Sequence, residues 1–226
     1  MHWNEESMNW IDSFVSQSRG NVNVTEVYLH PYEFGDQDDE FWDKVGQALG
    51  NLQSLETIHI YNTYCDEETP LPDCEMLVRI LSHVRQRITL IVTPVYYGNG
   101  DGADDSPWSV EESRSLAQAF HGHLTITRFE GGEDFPYESL DALYLALSSL
   151  PALESIRLGT PEVRQADETD LANPESLTKL LQRPTLRCVS FDRFSFTPAL
   201  CQATANAFME GTAITTLMFT ECSFSG

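Results

Sequence analysis

The chain is poor in basic residues: 13 lysines and arginines stand against 35 aspartates and glutamates, a net charge of −22 over 226 residues. Such a surface repels nucleic-acid backbones and anionic membranes and attracts basic proteins or cations. Neither class of polyanion is expected as a partner. The sequence also lacks any apolar run near the ~18–20 residues needed to cross a bilayer. Its first residues, MHWNEESMNW, have no basic head followed by an apolar stretch, so no secretory signal is expected. The five cysteines, Cys65, Cys74, Cys188, Cys201 and Cys222, are odd in number and form no C-x-x-C pair. That usage predicts reduced thiols in an intracellular protein, cytoplasmic or nuclear. No cofactor is implied. An apolar fraction of 41% with 11% aromatics is that of a folded chain.

An internal repeat organises what is present. Seven segments share an apolar-x-x-apolar-x-apolar spacing: Val24/Val27/Leu29, Leu55/Ile58/Ile60, Arg85/Ile88/Leu90, His121/Leu124/Ile126, Leu153/Ile156/Leu158, Leu186/Val189/Phe191 and Ile214/Leu217/Phe219. Arg85 and His121 make the third and fourth degenerate. The starts lie 31, 30, 36, 32, 33 and 28 residues apart. Ten residues after each start stands a further anchor: Phe34, Cys65, Val95, Gly131, Val163, Phe196 and Phe224. Cys65 is expected in the core.

Helical stripes fall between these segments. Phe41, Val45 and Leu49 recur at intervals of four; Met76, Leu77, Ile80, Leu81 and Val84 form one apolar face, as do Leu140, Leu143, Tyr144, Leu147 and Leu150. Leu177, Leu180 and Leu181 make another, and so do Leu200, Thr204, Ala207 and Phe208. Ser109–Glu112 reads as a capping box, and Asn173-Pro174 and Thr197-Pro198 place a cap residue before a proline in the first turn. Gly50 and Gly211 stand where helices should stop. Residues 5–18, with Met8, Ile11, Phe14 and Val15, read as an amphipathic helix capping the first repeat.

A strand, a turn and a helix every ~30 residues predict a parallel sheet with helices on one side. Stacked copies bury a common core, and closer strand than helix spacing bends the stack with its strands on the concave wall. The expected fold is an α/β solenoid of about seven strand–helix repeats. It forms one domain over 1–226, with 1–20 as an N-terminal capping helix and the repeats over 21–226. The last strand lies uncovered near Gly226, which suggests a truncated array or an edge that pairs with something.

Leu186–Thr197 and Ile214–Phe224 resemble the leucine-rich repeat, ribonuclease-inhibitor-like subtype, whose motif is L-x-x-L-x-L-x-x-N/C-x-L followed by a helix. Of the N/C positions only Cys222 matches; Tyr32, Thr63, Thr93, Phe129, Pro161 and Phe194 do not. The array is therefore divergent. The resemblance implies a right-handed horseshoe that binds proteins and is not an enzyme.

Two surfaces qualify for binding. Segments 35–40, 66–75, 98–112, 130–141 and 162–175, each from a strand's end to the next helix, hold 24 of the 35 acids and a single base, Arg164. On one rim they would make a continuous acidic surface, with Asp36, Asp38, Asp39, Asp101, Asp104 and Asp105 as its candidate contacts. Helix-capping preference explains one or two acids per segment, not four or five; a docking rim for a basic partner and a solubilising face are both open. On the concave wall one column reads Tyr28, His59, Thr89, Thr125, Arg157, Ser190 and Met218. The next reads His30, Tyr61, Ile91, Thr127, Gly159, Asp192 and Thr220. Tyr28, His30, His59 and Tyr61 should cluster as an anchor patch, with Arg157 and Asp192 further along.

No chemistry-bearing constellation stands out. The loop from Asn99 to Asp105 fails the EF-hand pattern, having Ala103 at the fifth position and Asp104 at the sixth. His121-x-His123 has no third ligand placed by the pattern, so no metal site is expected. Tyr28, His30 and His59 near Glu26 and Glu56 could imitate an acid–base site, but no nucleophile, oxyanion or phosphate loop accompanies them. The reading that follows is a non-enzymatic scaffold for a protein partner of basic or mixed charge. The alternatives are a recognition or sensor segment of a larger signalling or ubiquitin-ligase-type protein and, remotely, a cation-assisted hydrolase around 98–112.

Overall fold

The computed structural model describes residues 5–30, 39–64, 74–96, 110–131, 137–159 and 174–224. Strands and helices alternate along it: α1 (Glu5–Ser18), β1 (Glu26–Leu29), α2 (Asp39–Asn51), β2 (Thr57–Tyr64), α3 (Cys74–His83), β3 (Ile88–Tyr96), α4 (Val110–Ala119) and β4 (Ile126–Gly131). There follow α5 (Tyr137–Ser149), β5 (Ser155–Leu158), α6 (Pro174–Leu181), β6 (Cys188–Asp192), β7 (Ser195–Phe196), α7 (Pro198–Glu210), β8 (Thr216–Thr220) and β9 (Ser223–Phe224).

Seven strands form one sheet in the order β1-β2-β3-β4-β5-β6-β8, every neighbouring pair parallel. A two-stranded parallel ladder, β7-β9, pairs Phe196 with Phe224 beside it. Each helix packs on the helix before it, α1 on α2 through to α6 on α7, so the helices form a single layer. Alternation along the strands turns Ile58 and Ile60, Leu90 and Val92, Ile156 and Leu158, and Val189 and Phe191 into the core. The helical stripes meet them: Leu49, Ile80, Leu140, Leu147, Leu180 and Ala207 are all buried. The expected mixed α/β architecture with sequential parallel strands is present, and Phe14 of α1 packs against the hydrophobic core.

Three local expectations change. The third strand buries Ile88, Leu90 and Val92, and Ile58 pairs with Leu90 rather than with Ile88. Alternation by two cannot say which two of three buried residues carry the register. In the fourth repeat Leu124 is 72% exposed and Phe129 takes the core slot, pairing with Leu90 and Ile156. A bulge causes this: Ile88 opposes Ile126 but Thr89 opposes Arg128, leaving Thr127 as an extra residue whose hydroxyl donates to the Ile88 carbonyl at 3.1 Å. Lastly, Gly50 lies inside α2, not after it. Gly211 does end α7, in the left-handed region at φ 98°, with its N–H on the Phe208 carbonyl. Thr197 caps α7 as expected, accepting from the Leu200 N–H at 3.2 Å.

The helix ends are held by the following repeat. Carbonyls of a last turn lack helical partners and need donors when covered. Gln86 donates its amide to the carbonyls of Gly50 and Leu52, at 3.0 and 2.5 Å. The His123 ring contacts the Leu81 carbonyl through Nε2 at 2.8 Å, and Arg183 donates to the carbonyls of Ser148 and Leu150. Arg183→Met should therefore cost about 2 kcal/mol in urea unfolding, since hydrogen bonds to charged groups contribute ~1.5–3 kcal/mol. Arg87→Ala, which removes an ion pair to Glu154 between exposed side chains, should cost less than about 1 kcal/mol. Equal losses would show that Arg183 does not hold α5.

Candidate functional site

The face of the sheet turned away from the helices has no covering element among the described strands and helices. Its side chains therefore have no core to fill there. The row across the strands is Tyr28, His59, Ile91, Glu130, Arg157, Ser190 and Met218. Ile91 and Glu130 stand where Thr89 and Thr125 were expected, both as consequences of the shifted register and the bulge. Tyr61 pairs with Thr93, not Ile91, and Asp192 with Thr220.

At the β1–β2 end the four expected residues do meet, as rings. Tyr28 stacks on His59 with centroids 4.3 Å apart and planes at 12°. His30 stacks on Tyr61 at 4.7 Å and 6°. The two stacks adjoin, with Tyr28–Tyr61 at 6.0 Å and His59–Tyr61 at 6.2 Å. Parallel pairing explains the alignment: residues opposite one another stand side by side, and those two further along repeat the contact. Tyr28 donates its hydroxyl to the Glu26 carboxylate at 2.8 Å, and Glu26 lies 3.9 Å from His59 Nε2.

The hydrogen bond to Glu26, and secondarily desolvation and the carboxylate charge, raise the Tyr28 pKa above the ordinary tyrosine value. The neutral phenol is the donor, so the bond is intact below the ordinary tyrosine range and is lost as pH rises through the raised value. Glu26→Gln should bring Tyr28 ionisation back down, read by alkaline titration of its ring signals. An unchanged titration would show that the carboxylate does not control the phenol.

Further along, Arg157 links neighbouring strands. It bonds Asp192 through Nε at 3.1 Å and through Nη2, and its Nη1 lies 3.9 Å from Glu130. Arg128 approaches Glu130 at 2.5 Å. Asp192 is buried, so this pair presents mainly the half-exposed Arg157 to solvent.

The strands are parallel, so their carboxyl ends lie on one side of the sheet, while much of the five acidic segments lies outside the described residues. Asp39 sits in the first turn of α2 and pairs with Arg79 at 2.5 Å. Asp36, Asp38, Asp101, Asp104 and Asp105 lie outside the described residues, as do Cys65 and the 99–105 loop. Among the described residues no group of three or more His, Cys, Asp or Glu could hold a metal ion. His121 is exposed while His123 is engaged at α3. Cys188, Cys201 and Cys222 are free thiols. No described helix is long and apolar enough to cross a membrane. A groove of about 540 Å³ between α6 and α7, lined by Glu175, Lys179, Gln202 and Asn206 among others, lies on the helix layer.

Sequence reasoning missed Glu130, displaced by the bulge, and the helix-end donors. For Gln86 and Arg183 the signal was a polar side chain two residues past a helical stripe; His123 carried none.

No protein-family profile matches the chain, and no curated protein matches it. Among solved structures, Leiomodin-1 Actin-Binding Site 2 (ABS2) aligns at 13% identity over 88% of this chain and 87% of that one, with a TM-score of 0.37. A likeness of that size carries no argument about this chain.

Proposed function

We propose that this chain is a non-enzymatic protein-binding scaffold: a divergent leucine-rich-repeat solenoid of the ribonuclease-inhibitor-like kind, docking a partner protein on its open sheet face and acidic edge. The sequential parallel order of the strands and the single helix layer support the solenoid. Its right-handed sense follows the rule obeyed by almost all parallel β-α-β crossovers. One observation carries the binding reading: the ordered array of Tyr28, His59, His30 and Tyr61 on the sheet face that the helices leave uncovered. Tyrosine is enriched among interface anchors. The acidic connectors add steering toward a partner of basic or mixed charge.

The test is a quantitative pull-down followed by rebinding of the purified partner. The native chain is compared with Tyr61→Ala and with a chain in which Asp36, Asp38, Asp39, Asp101, Asp104 and Asp105 are neutralised. A partner that rebinds, weakens with salt and is lost in both variants supports the reading. One that binds all three chains alike sinks the assignment of these surfaces.

A further inference from the structure

The ring array has a direction. Its planes are stacked across the strands, Tyr28 on β1 and His30 just after it against His59 and Tyr61 on β2. β1 is the first strand of the sheet and pairs only with β2 among the described strands. The inner faces of Tyr28 and His30 are taken by their neighbours, and no described strand flanks their outer faces. Tyr28 is 52% exposed. Beside it stands the Glu26 carboxylate, itself about half exposed.

We infer that this edge of the array accepts an arginine side chain from a partner, with the guanidinium stacked on Tyr28 and hydrogen-bonded to Glu26. The inference rests on the scaffold reading above and names the chemistry its aromatic patch selects. Three observations converge. The negative face of an aromatic ring attracts a cation. Glu26 supplies a carboxylate two residues from Tyr28 on the same strand face, and a planar guanidinium can stack and pair at once where an ammonium cannot. Charge is complementary as well: residues 20–78 contain 13 acids and a single base, Lys44. That lysine is already engaged by Asp12 and Glu40, at 2.9 and 3.2 Å, on α1 and α2.

The experiment is an NMR titration of the full chain, following the ring signals of Tyr28 and His30. The probes are a blocked Gly-Gly-Arg-Gly-Gly peptide, its lysine and citrulline counterparts, and adenosine. The arginine peptide should give saturable shifts, with at least about tenfold weaker binding for citrulline, which keeps the shape and loses the charge. Glu26→Gln and Tyr28→Leu should each weaken the arginine peptide about tenfold while leaving the backbone spectrum in place. Tyr28→Phe, which keeps the ring, should retain most of the binding.

Equal binding of citrulline, or of adenosine at the same rings, would overturn the inference in favour of neutral stacking. Lysine binding as tight as arginine would overturn the guanidinium assignment. The absence of any saturable shift would overturn the site altogether. Because the probes are defined peptides, a protein partner that still binds the sheet face after these failures leaves the scaffold reading standing.

Discussion

Phe194→Ala is expected to lower the unfolding free energy by about 4 kcal/mol, within the ~3–5 kcal/mol usual for removing a buried phenylalanine. Phe194 is fully buried and lies 4.9 Å from the Phe191 ring and 4.6 Å from that of Phe196. The cluster extends to the last repeat, where Phe219 stacks on Phe191 at 5.6 Å and Phe224 on Phe196 at 5.2 Å. The backbone cannot easily close around a hole there. Arg193, just before Phe194, holds a left-handed φ of 47° and bonds the Thr220 carbonyl, while the Phe194 carbonyl accepts from Ser223. Phe194→Leu, which keeps most of the volume, should cost less than about 1.5 kcal/mol. Urea unfolding of the two variants checks this. An alanine variant within 1 kcal/mol of the native chain would mean that the aromatic cluster does not support these repeats.

The same position shows how the sequence could be read and where it misled. Phe194 and Cys222 are equivalent, since Phe191 pairs with Phe219 and Ser195 with Ser223. Both follow a residue in the left-handed region, Arg193 and Glu221. The motif places asparagine or cysteine there, and Cys222 behaves accordingly, its thiol 3.4 Å from the Phe191 carbonyl. Phe194 breaks the motif because it fills the site with a ring instead of a polar bond. Periodicity was legible across this substitution because burial alternates with period two whatever residue follows the strand. It failed where one residue was inserted. The spacing of the starts holds no trace of the Thr127 bulge, because the third-to-fourth interval ends at His121, before it, and no propensity rule marks a threonine as an extra residue in a strand.

The site was legible to the degree that it depends on register alone. Tyr28 and His59, or His30 and Tyr61, stand 31 residues apart, and an unbulged β1–β2 pairing places each pair side by side. Glu130 joined the row only through the bulge. Its Arg157 contact needed two register changes to be known. That the rings stack, with Glu26 closing on one of them, is tertiary detail that residue types do not specify. The acidic segments are legible in the sequence as connectors from strand ends to helix starts, but five of the six acids singled out there lie outside the described residues.

Gly50→Ala should also be costly, against its intrinsic preference. Gly50 is helical, and alanine in a helix interior is favoured over glycine by up to about 1 kcal/mol. Yet a Cβ at Gly50 would stand 2.4 Å from the His83 carbonyl oxygen and 3.2 Å from its carbon. That is backbone, not the end of a side chain that can swing away. Gly46, one turn earlier, shows the same closeness, with the Ile80 Cα and carbonyl oxygen at 3.0 Å. The two glycines are where α2 and α3 touch, so a methyl group must push the helices apart. Overpacking of this kind costs ~1–3 kcal/mol, and with a backbone atom as the obstacle we expect about 3 kcal/mol for Gly50→Ala. Thermal and urea unfolding measure it; a stabilised variant would show that α2 and α3 separate freely. The displacement has a second readout. Gly50 and Leu52 present the carbonyls that Gln86 holds, and Gln86 lies two residues before β3. β3 in turn pairs with the β2 strand that carries His59 and Tyr61. A variant that stays folded by shifting α3 should move the His59 and Tyr61 ring signals, whereas one that simply loses stability should leave them in place below its unfolding transition. The outcome decides whether the helix layer sets the geometry of the ring array or only supports the core beneath it.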